Sequence, residues 1–229
     1  MRDVKAIDPG LVIFDCDGVL VDSEPLAIRV LIETLADAGL TMDAEEAYER
    51  FLGRSLGTIT AILSEEFQVD LTHAALENGR ARLYEVFHAE LKPVAGIADT
   101  LDRLDVPFCV ASSSQPERIR LSLSVTGLLD RFEPNIFSAT MVEKGKPAPD
   151  LFLHAAGMMN VPPQDCLVIE DSPAGVQAAK AAGMDVFAFV GGGHAGGKSH
   201  RDTLRLLAPD CMFDEMARLP DMLHSSLRA

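Results

Sequence analysis

The chain has 229 residues, 48% of them hydrophobic and 24% charged, which is the composition of a soluble globular protein with an ample core. Its formal net charge of −15 argues against binding to nucleic acid or to an anionic membrane surface, and no apolar run approaches the ~18 residues of a membrane span. The four scattered cysteines and the lack of an apolar segment after Met1 favour a reduced, cytoplasmic protein. We expect a monomer or small homo-oligomer.

The first predicted element is a buried strand that runs directly into two carboxylates. Leu11–Phe14 is wholly apolar, and Asp15, Asp17 and Gly18 follow it. Two unit charges ~4 Å apart repel by about 4 kcal/mol at an effective dielectric near 20, and a divalent cation such as Mg²⁺ removes that cost. A surface turn of the form Asp-x-Asp-Gly is the alternative interpretation.

Residues 22–92 show only helical patterns. Ser23 is a plausible N-cap for the first of these helices, and Pro25 would then lie in its first turn, where proline is tolerated. Further helices are predicted at 44–51, 56–67 and 71–91. We therefore predict a second, smaller, all-helical domain at 22–92, inserted into a core formed by residues 1–21 and 93–229.

Strands and helices alternate from residue 93 onward. Buried strands are predicted at 106–111, 135–138, 166–169 and 185–190, with a short edge strand at 211–213. Alternation of this kind is typical of an α/β fold, a doubly wound parallel sheet of Rossmann-like type. In such a sheet the carboxyl ends of the strands meet in one crevice, where ligands bind.

Polar residues follow the first four predicted strands, beginning with Asp15 and Asp17 after the first. Ser112 ends the second strand, Lys146 lies in the loop after the third, and Glu170 and Asp171 follow the fourth. Ser112 could instead cap a helix, Lys146 could be a solvated loop residue, and the acidic pair could be an ordinary turn. Their recurrence at successive strand ends favours one shared site.

Phosphoryl transfer is the chemistry that these residue types suit. Mg²⁺ held by Asp15, Asp171 and the carbonyl of Asp17 would neutralise phosphate oxygens, and Ser112 with nearby backbone N–H groups would bind other oxygens. Lys146 would offset negative charge. Asp15 can attack phosphorus, and Asp17 can protonate the leaving alcohol and later activate water.

The sequence resembles the haloacid dehalogenase-like (HAD) hydrolase superfamily. The resemblance rests on four motifs, at residues 15–23, 110–114, 146–150 and 168–175. It implies that Asp15 is the nucleophile, Asp17 the acid/base, and Asp171 a Mg²⁺ ligand. It also implies that Ser112, Ser113 and Lys146 bind phosphate, that Glu170 assists the metal, and that residues 22–92 form a helical cap.

The subgroup that the chain resembles contains β-phosphoglucomutase and small sugar-phosphate phosphatases. Mutases keep a histidine where this chain has Ala27, and their cap arginine would fall at Leu56 if the preceding glycine is Gly53. The predicted cap has no lysine before Lys92, which also argues against phosphonate cleavage through a Schiff base. Hydrolysis of a phosphomonoester is therefore preferred, with a phosphosugar mutase as the alternative.

The substrate is expected to be a sugar phosphate or a sugar acid phosphate. Gly53 and Arg54 are the candidate substrate-reading residues of the cap, because an arginine can grip a carboxylate bidentately. The chain is also similar to phosphatases of sugar acids such as 6-phosphogluconate.

A glycine-rich loop offers a remote alternative. Residues 192–199 fit the phosphate-loop pattern G-x-x-x-x-G-K-[ST] after a predicted strand, which would suggest a nucleotide-binding protein. Only 30 residues follow this match, too few for an NTPase domain.

Overall fold

A computed structural model describes residues 7–51, 54, 56–195 and 198–224. Six parallel strands form one sheet in the order β3-β2-β1-β4-β5-β6. Their bounds are Leu11–Phe14 (β1), Phe108–Ser112 (β2), Ile136–Ser138 (β3), Cys166–Glu170 (β4), Asp185–Phe189 (β5) and Cys211–Phe213 (β6). The predicted doubly wound parallel sheet is confirmed, and β2 begins and ends slightly later than expected.

Eleven α-helices lie in the described part of the chain. Those between β1 and β2 are Glu24–Asp37 (α1), Ala44–Phe51 (α2), Leu56–Phe67 (α3), His73–Glu90 (α4) and Ile97–Arg103 (α5). The later ones are Pro116–Val125 (α6), Leu129–Phe132 (α7), Asp150–Met158 (α8), Pro173–Ala181 (α9), Lys198–Leu206 (α10) and Leu219–His224 (α11). None of them is long and apolar enough to cross a membrane.

The sheet is covered on both faces, as the uninterrupted apolar strands require. Side chains alternate along β1, so Val12 and Phe14 pack in one hydrophobic cluster and Leu11 and Ile13 in another. The only openings of such a sheet are its strand ends. The end of β1 is in register with both neighbours, because Phe14 pairs with Val110 and with Ile169.

Between β1 and α5 the described residues contain helices and no named strand. Helices α1 to α3 share a separate small cluster that includes Leu35, Phe51 and Leu63. Helix α4 differs, because its Phe87 and the following Leu91 pack in a main cluster of the sheet. The division into a core and an inserted domain at 22–92 stays a prediction.

The prediction that Ser23 caps α1 is wrong in its chemistry. Ser23 stands at the N-cap position, but its side chain makes no capping hydrogen bond. Its backbone is helical (φ −87°, ψ −24°), not extended as it is for a residue whose oxygen accepts from the first N–H groups of a helix, and its hydroxyl donates to the Asp17 carboxylate at 2.6 Å.

Candidate active site

Side chains from three adjacent strand ends converge at the carboxyl edge of the sheet. Asp15 directly follows β1, Ser112 ends β2, and Glu170 ends β4. All three are buried, as is Asp171. Asp15 also extends the parallel ladder, because its N–H donates to the carbonyl of Ile169 at 2.9 Å. The backbone thus fixes where the first carboxylate lies.

Lys146 links two of these strand ends. Its Nζ lies 2.6 Å from Asp15 Oδ1, 2.7 Å from Glu170 Oε1 and 3.1 Å from the carbonyl of Ala111. The side chain is only 4% exposed. Burial alone would lower the pKa of Lys146, but the charges of Asp15 and Glu170 raise it. The lysine is therefore a fixed cation beside the predicted nucleophile and not a solvated loop residue.

Glu170 holds that lysine. Its second oxygen accepts hydrogen bonds from the N–H (2.7 Å) and the hydroxyl (3.0 Å) of Ser172. A Cβ at Gly175 would lie 1.7 Å from Glu170 Oε1, so only glycine leaves room for this carboxylate. Since both oxygens are engaged by protein donors, Glu170 orients Lys146 in this structure.

Asp17 is held by three donors. Its Oδ1 accepts from the hydroxyl of Ser23 at 2.6 Å and from Arg118 at 2.9 Å, and its Oδ2 accepts from the hydroxyl of Ser114 at 2.7 Å. Burial by itself would raise the pKa of Asp17, but Arg118 and the two hydroxyls lower it overall. Asp17 is therefore kept as a carboxylate next to Asp15.

Ser114 and Arg118 were not predicted from the sequence. Ser114 lies two residues beyond Ser112 in the same loop, which is a usable local signal. Arg118 lies 101 positions from Asp17 on α6, and no local pattern connects the two.

The concentration of carboxylates fits a hard divalent cation. Burial raises the pKa of Asp15 well above its usual value; Lys146 opposes this, and Glu170, Asp171 and Asp17 add to it. In the described residues no three His, Cys, Asp or Glu side chains form a ready metal cage, and Asp15 and Asp17 are instead paired with Lys146 and Arg118. The four carboxylates of the site still outnumber these two cations, and a cation bound by oxygen ligands would offset the excess negative charge.

The predicted substrate-binding residues are found in different settings. Ser112 is buried and its hydroxyl accepts from the N–H of Ser114 at 3.1 Å, whereas Ser113 is exposed. Arg54 is exposed, and Gly53 lies outside the described residues. The structure therefore brings together Asp15, Asp17, Lys146 and Glu170, with Ser112 at the neighbouring strand end.

The described part of the glycine loop contacts this site through its own backbone and side chains. The N–H of Gly193 donates to Asp22 at 2.9 Å, and that of Ala195 donates to the carbonyl of Gly192 at 2.9 Å. These amides are therefore occupied by protein acceptors. Residues 196 and 197 of the phosphate-loop match lie outside the described residues.

His194 and His200, from the same region, both contact Asp171. Nε2 of His194 lies 2.8 Å from Asp171 Oδ2, and Nε2 of His200 lies 2.8 Å from the Asp171 carbonyl oxygen. Burial lowers the pKa of His200, whereas contact with Asp171 raises that of His194 despite its burial. Neither histidine was predicted as a site residue, since their spacing matches no metal-binding motif.

Comparisons with known proteins agree with the geometry. A family model described as haloacid dehalogenase-like hydrolase matches residues 9–183. The chain is 36% identical to 6-phosphogluconate phosphatase of Escherichia coli K12 over 184 residues, which cover 80% of this chain and 83% of that one. It is 33% identical to β-phosphoglucomutase of Bacillus subtilis 168, over 76% of this chain and 80% of that one.

A solved structure extends the match over nearly the whole fold. The crystal structure of a conserved haloacid dehalogenase-like protein from Agrobacterium tumefaciens C58 has a TM-score of 0.83 and 35% identity, covering 96% of this chain and 99% of that one. The resemblance inferred from the four motifs is confirmed. The chain belongs to the haloacid dehalogenase-like hydrolases and is a phosphatase enzyme of that family.

Proposed function

We propose that this enzyme is a Mg²⁺-dependent phosphatase that hydrolyses a small sugar phosphate or sugar acid phosphate, such as 6-phosphogluconate, through an aspartyl-phosphate on Asp15. The observation that carries the proposal is the buried Lys146–Asp15 contact of 2.6 Å, with Asp17 two residues away. The similarity to a 6-phosphogluconate phosphatase supports the substrate class.

The first half of the reaction uses Asp15 as nucleophile. Lys146 binds Oδ1, so Oδ2 is the oxygen available to attack phosphorus. As the new P–O bond forms, the bond to the leaving alcohol breaks, and protonated Asp17 supplies the proton to the leaving oxygen. The positive charge of Lys146 offsets the negative charge of the incoming phosphate.

The second half uses Asp17 as a base. Asp17 takes a proton from a water molecule, which attacks phosphorus and releases phosphate and free Asp15. Arg118, Ser23 and Ser114 lower the pKa of Asp17, so they favour the carboxylate that this step regenerates. Since these donors keep Asp17 a carboxylate in this structure, it must release at least one of them and gain a proton, from solvent or substrate, before it acts as the acid.

Residues Asp15 and Asp171, with the carbonyl of Asp17, would hold the cation. When bound, Mg²⁺ supplies positive charge to the phosphate oxygens, both in the ground state and as charge develops. Ser112 and the backbone amides after β2 would bind further phosphate oxygens.

The decisive experiment measures phosphate release from a panel of phosphorylated sugars and sugar acids. We expect turnover in Mg²⁺, none in EDTA, and a loss of ~10³-fold or more in kcat for Asp15→Asn with an unchanged circular dichroism spectrum. Asp130→Asn, at an exposed position on α7, is the matched control and is expected to behave as wild type.

Two results would contradict the proposal. Undiminished hydrolysis in EDTA would show that the reaction needs no metal ion. Wild-type turnover by Asp15→Asn would show that Asp15 is not the nucleophile. Formation of a phosphosugar isomer without released phosphate would instead favour the mutase activity named by the Bacillus subtilis relative.

A further inference from the structure

The loop after β5 places a histidine ring against the backbone of the first motif. The His194 side chain is fully buried. A Cβ at Gly18 would lie 2.8 Å from His194 Cε1 and 2.0 Å from Asp171 Oδ2, and a Cβ at Gly192 would also lie 2.8 Å from Cε1. Two glycines therefore leave the space that the ring and the Asp171 carboxylate share.

The polar surroundings of this ring are unusual. Its Nδ1 and Nε2 have no hydrogen-bond partner, although Nε2 lies 2.8 Å from Asp171 Oδ2, close enough for an ionic contact but outside hydrogen-bond geometry. A buried polar atom without a hydrogen bond lowers the stability of the fold, so the burial of the His194 ring beside Asp171 calls for a functional explanation. The group that His194 faces is the carboxylate expected to bind the cation.

The described residues of this loop, up to Ala195, are held by further hydrogen bonds. Arg201 donates to the carbonyl oxygens of Ala195 (3.0 Å) and Val190 (2.9 Å), and Asp22 accepts from the N–H of Gly193. His200 packs edge-on against His194, with ring centroids 5.5 Å apart, and contacts the backbone oxygen of Asp171. Two histidines thus contact one aspartate, one at its side chain and one at its main chain.

We propose that His194 is a positioning residue for Asp171: it engages Oδ2, which would leave Oδ1 to bind the cation, while His200 fixes the backbone of the same residue. The inference rests on the proposed Mg²⁺ site. The physical reason is that a carboxylate has two equivalent oxygens and a soft terminal torsion, so that a contact to one oxygen fixes the direction of the other. Groups that orient a metal ligand in this way typically change metal affinity 10–100-fold when removed.

The test measures Mn²⁺ binding without turnover, by the electron paramagnetic resonance signal of free Mn²⁺. His194→Phe keeps a ring but cannot contact a carboxylate through nitrogen, and we expect its Mn²⁺ affinity to fall 10–100-fold. His194→Gln, whose amide can donate to Asp171, should recover most of that loss. His88→Phe, at an exposed position on α4, is the matched control and should bind as wild type.

A second readout separates positioning from a general loss of structure. At saturating Mg²⁺ the His194→Phe enzyme should regain most of its kcat, with an unchanged KM for substrate. If this variant does not fold, His194→Asn gives the same comparison, because asparagine is too short to maintain the contact.

Two outcomes overturn the inference. The first is wild-type Mn²⁺ affinity in both His194→Phe and His194→Asn. The second is a coupling of bound Mn²⁺ to an imidazole nitrogen that disappears in His194→Gln, since His194 would then be a ligand itself. Absence of Mn²⁺ binding by the wild type would be a different result, because it removes the cation from the proposed function.

Discussion

The strand ends and the helical segment between β1 and β2 both carry ion pairs, but in opposite environments. Lys146 pairs with Asp15 and Glu170. The side chains of these three residues are 4%, 10% and 1% exposed, in that order. Arg50 of α2 pairs with Glu46 and Glu66 at similar distances, 3.0 and 2.7 Å, with side chains 37–54% exposed. Distance alone does not distinguish these pairs; burial does.

The difference in burial determines how much each ion pair contributes to the fold. Taking charges out of water is costly, and a buried charge that loses its partner is strongly destabilising. An exposed pair is screened by solvent, so its members can change with little consequence for the fold. The chemistry is therefore expected to depend on the buried set, while the exposed helical segment is free to vary with the substrate.

The largest contrast should come from Lys146→Met. This change leaves Asp15 and Glu170 as adjacent buried carboxylates, and we expect a loss of about 3–5 kcal/mol in the free energy of unfolding, together with a loss of most activity. Urea denaturation and phosphate release measure the two effects. A variant as stable and active as wild type would show that burial does not make this pair different from Arg50 and its partners.

A second prediction concerns Glu24, at the start of α1, which lies close enough to the buried carboxylates to be repelled by them. Burial, with added repulsion from Asp17 and Asp171, raises its pKa to about 7. The folded state therefore binds this proton more tightly than the unfolded state, and stability falls as the pH rises from about 4.5 to about 7. Glu24→Gln should gain on the order of 1–3 kcal/mol over wild type at pH 8, and much less at pH 5.

Urea denaturation in EDTA at the two pH values measures this difference. Glu65→Gln, at an exposed position on α3, is the control. An equal stability difference at pH 5 and pH 8 would mean that Glu24 does not titrate in this range.

A smaller effect is expected at Arg54, the exposed candidate for substrate reading. A charge-assisted contact to a substrate carboxylate is worth about 1.5 kcal/mol, so Arg54→Ala should raise the KM for a sugar acid phosphate roughly 10-fold. The KM for an uncharged sugar phosphate should change little. Equal changes for both substrates would argue that Arg54 does not read the acid group, and Arg50→Ala provides the control for loss of a nearby cation.

The smallest effect should be that of Arg50→Ala on stability. Both of its partners are exposed, so we expect a change in Tm close to the error of the measurement. A large decrease in Tm would show that an exposed ion pair can matter as much as a buried one. It would point to the packing of Arg50 over the Phe67 ring, 4.8 Å from its centroid, as more than a surface contact.

Much of the site was predictable because its signals are local. Asp15, Asp17, Lys146 and Asp171 each lie at a fixed short distance after an apolar strand or within a compact motif. The order of strands and helices then implies that these positions meet at one edge of the sheet. The same reasoning placed the strand bounds within a few residues.

The partners of those residues were not predictable. Arg118 and Ser114 reach Asp17 across 101 and 97 positions, and His194 reaches Asp171 from a loop whose sequence resembles a phosphate loop. The capping role predicted for Ser23 was wrong because residue type alone does not give the backbone conformation, which at Ser23 is helical and not the extended one that capping uses.

By itself the sequence determined the parallel sheet, the positions of the carboxylates and the lysine, and hence the class of chemistry, because apolar periodicity and short motifs are properties of neighbouring residues. Only the tertiary structure decided which donors hold each carboxylate and which pKa values move. Those depend on burial and on charges brought together by crossover connections, which no local pattern encodes.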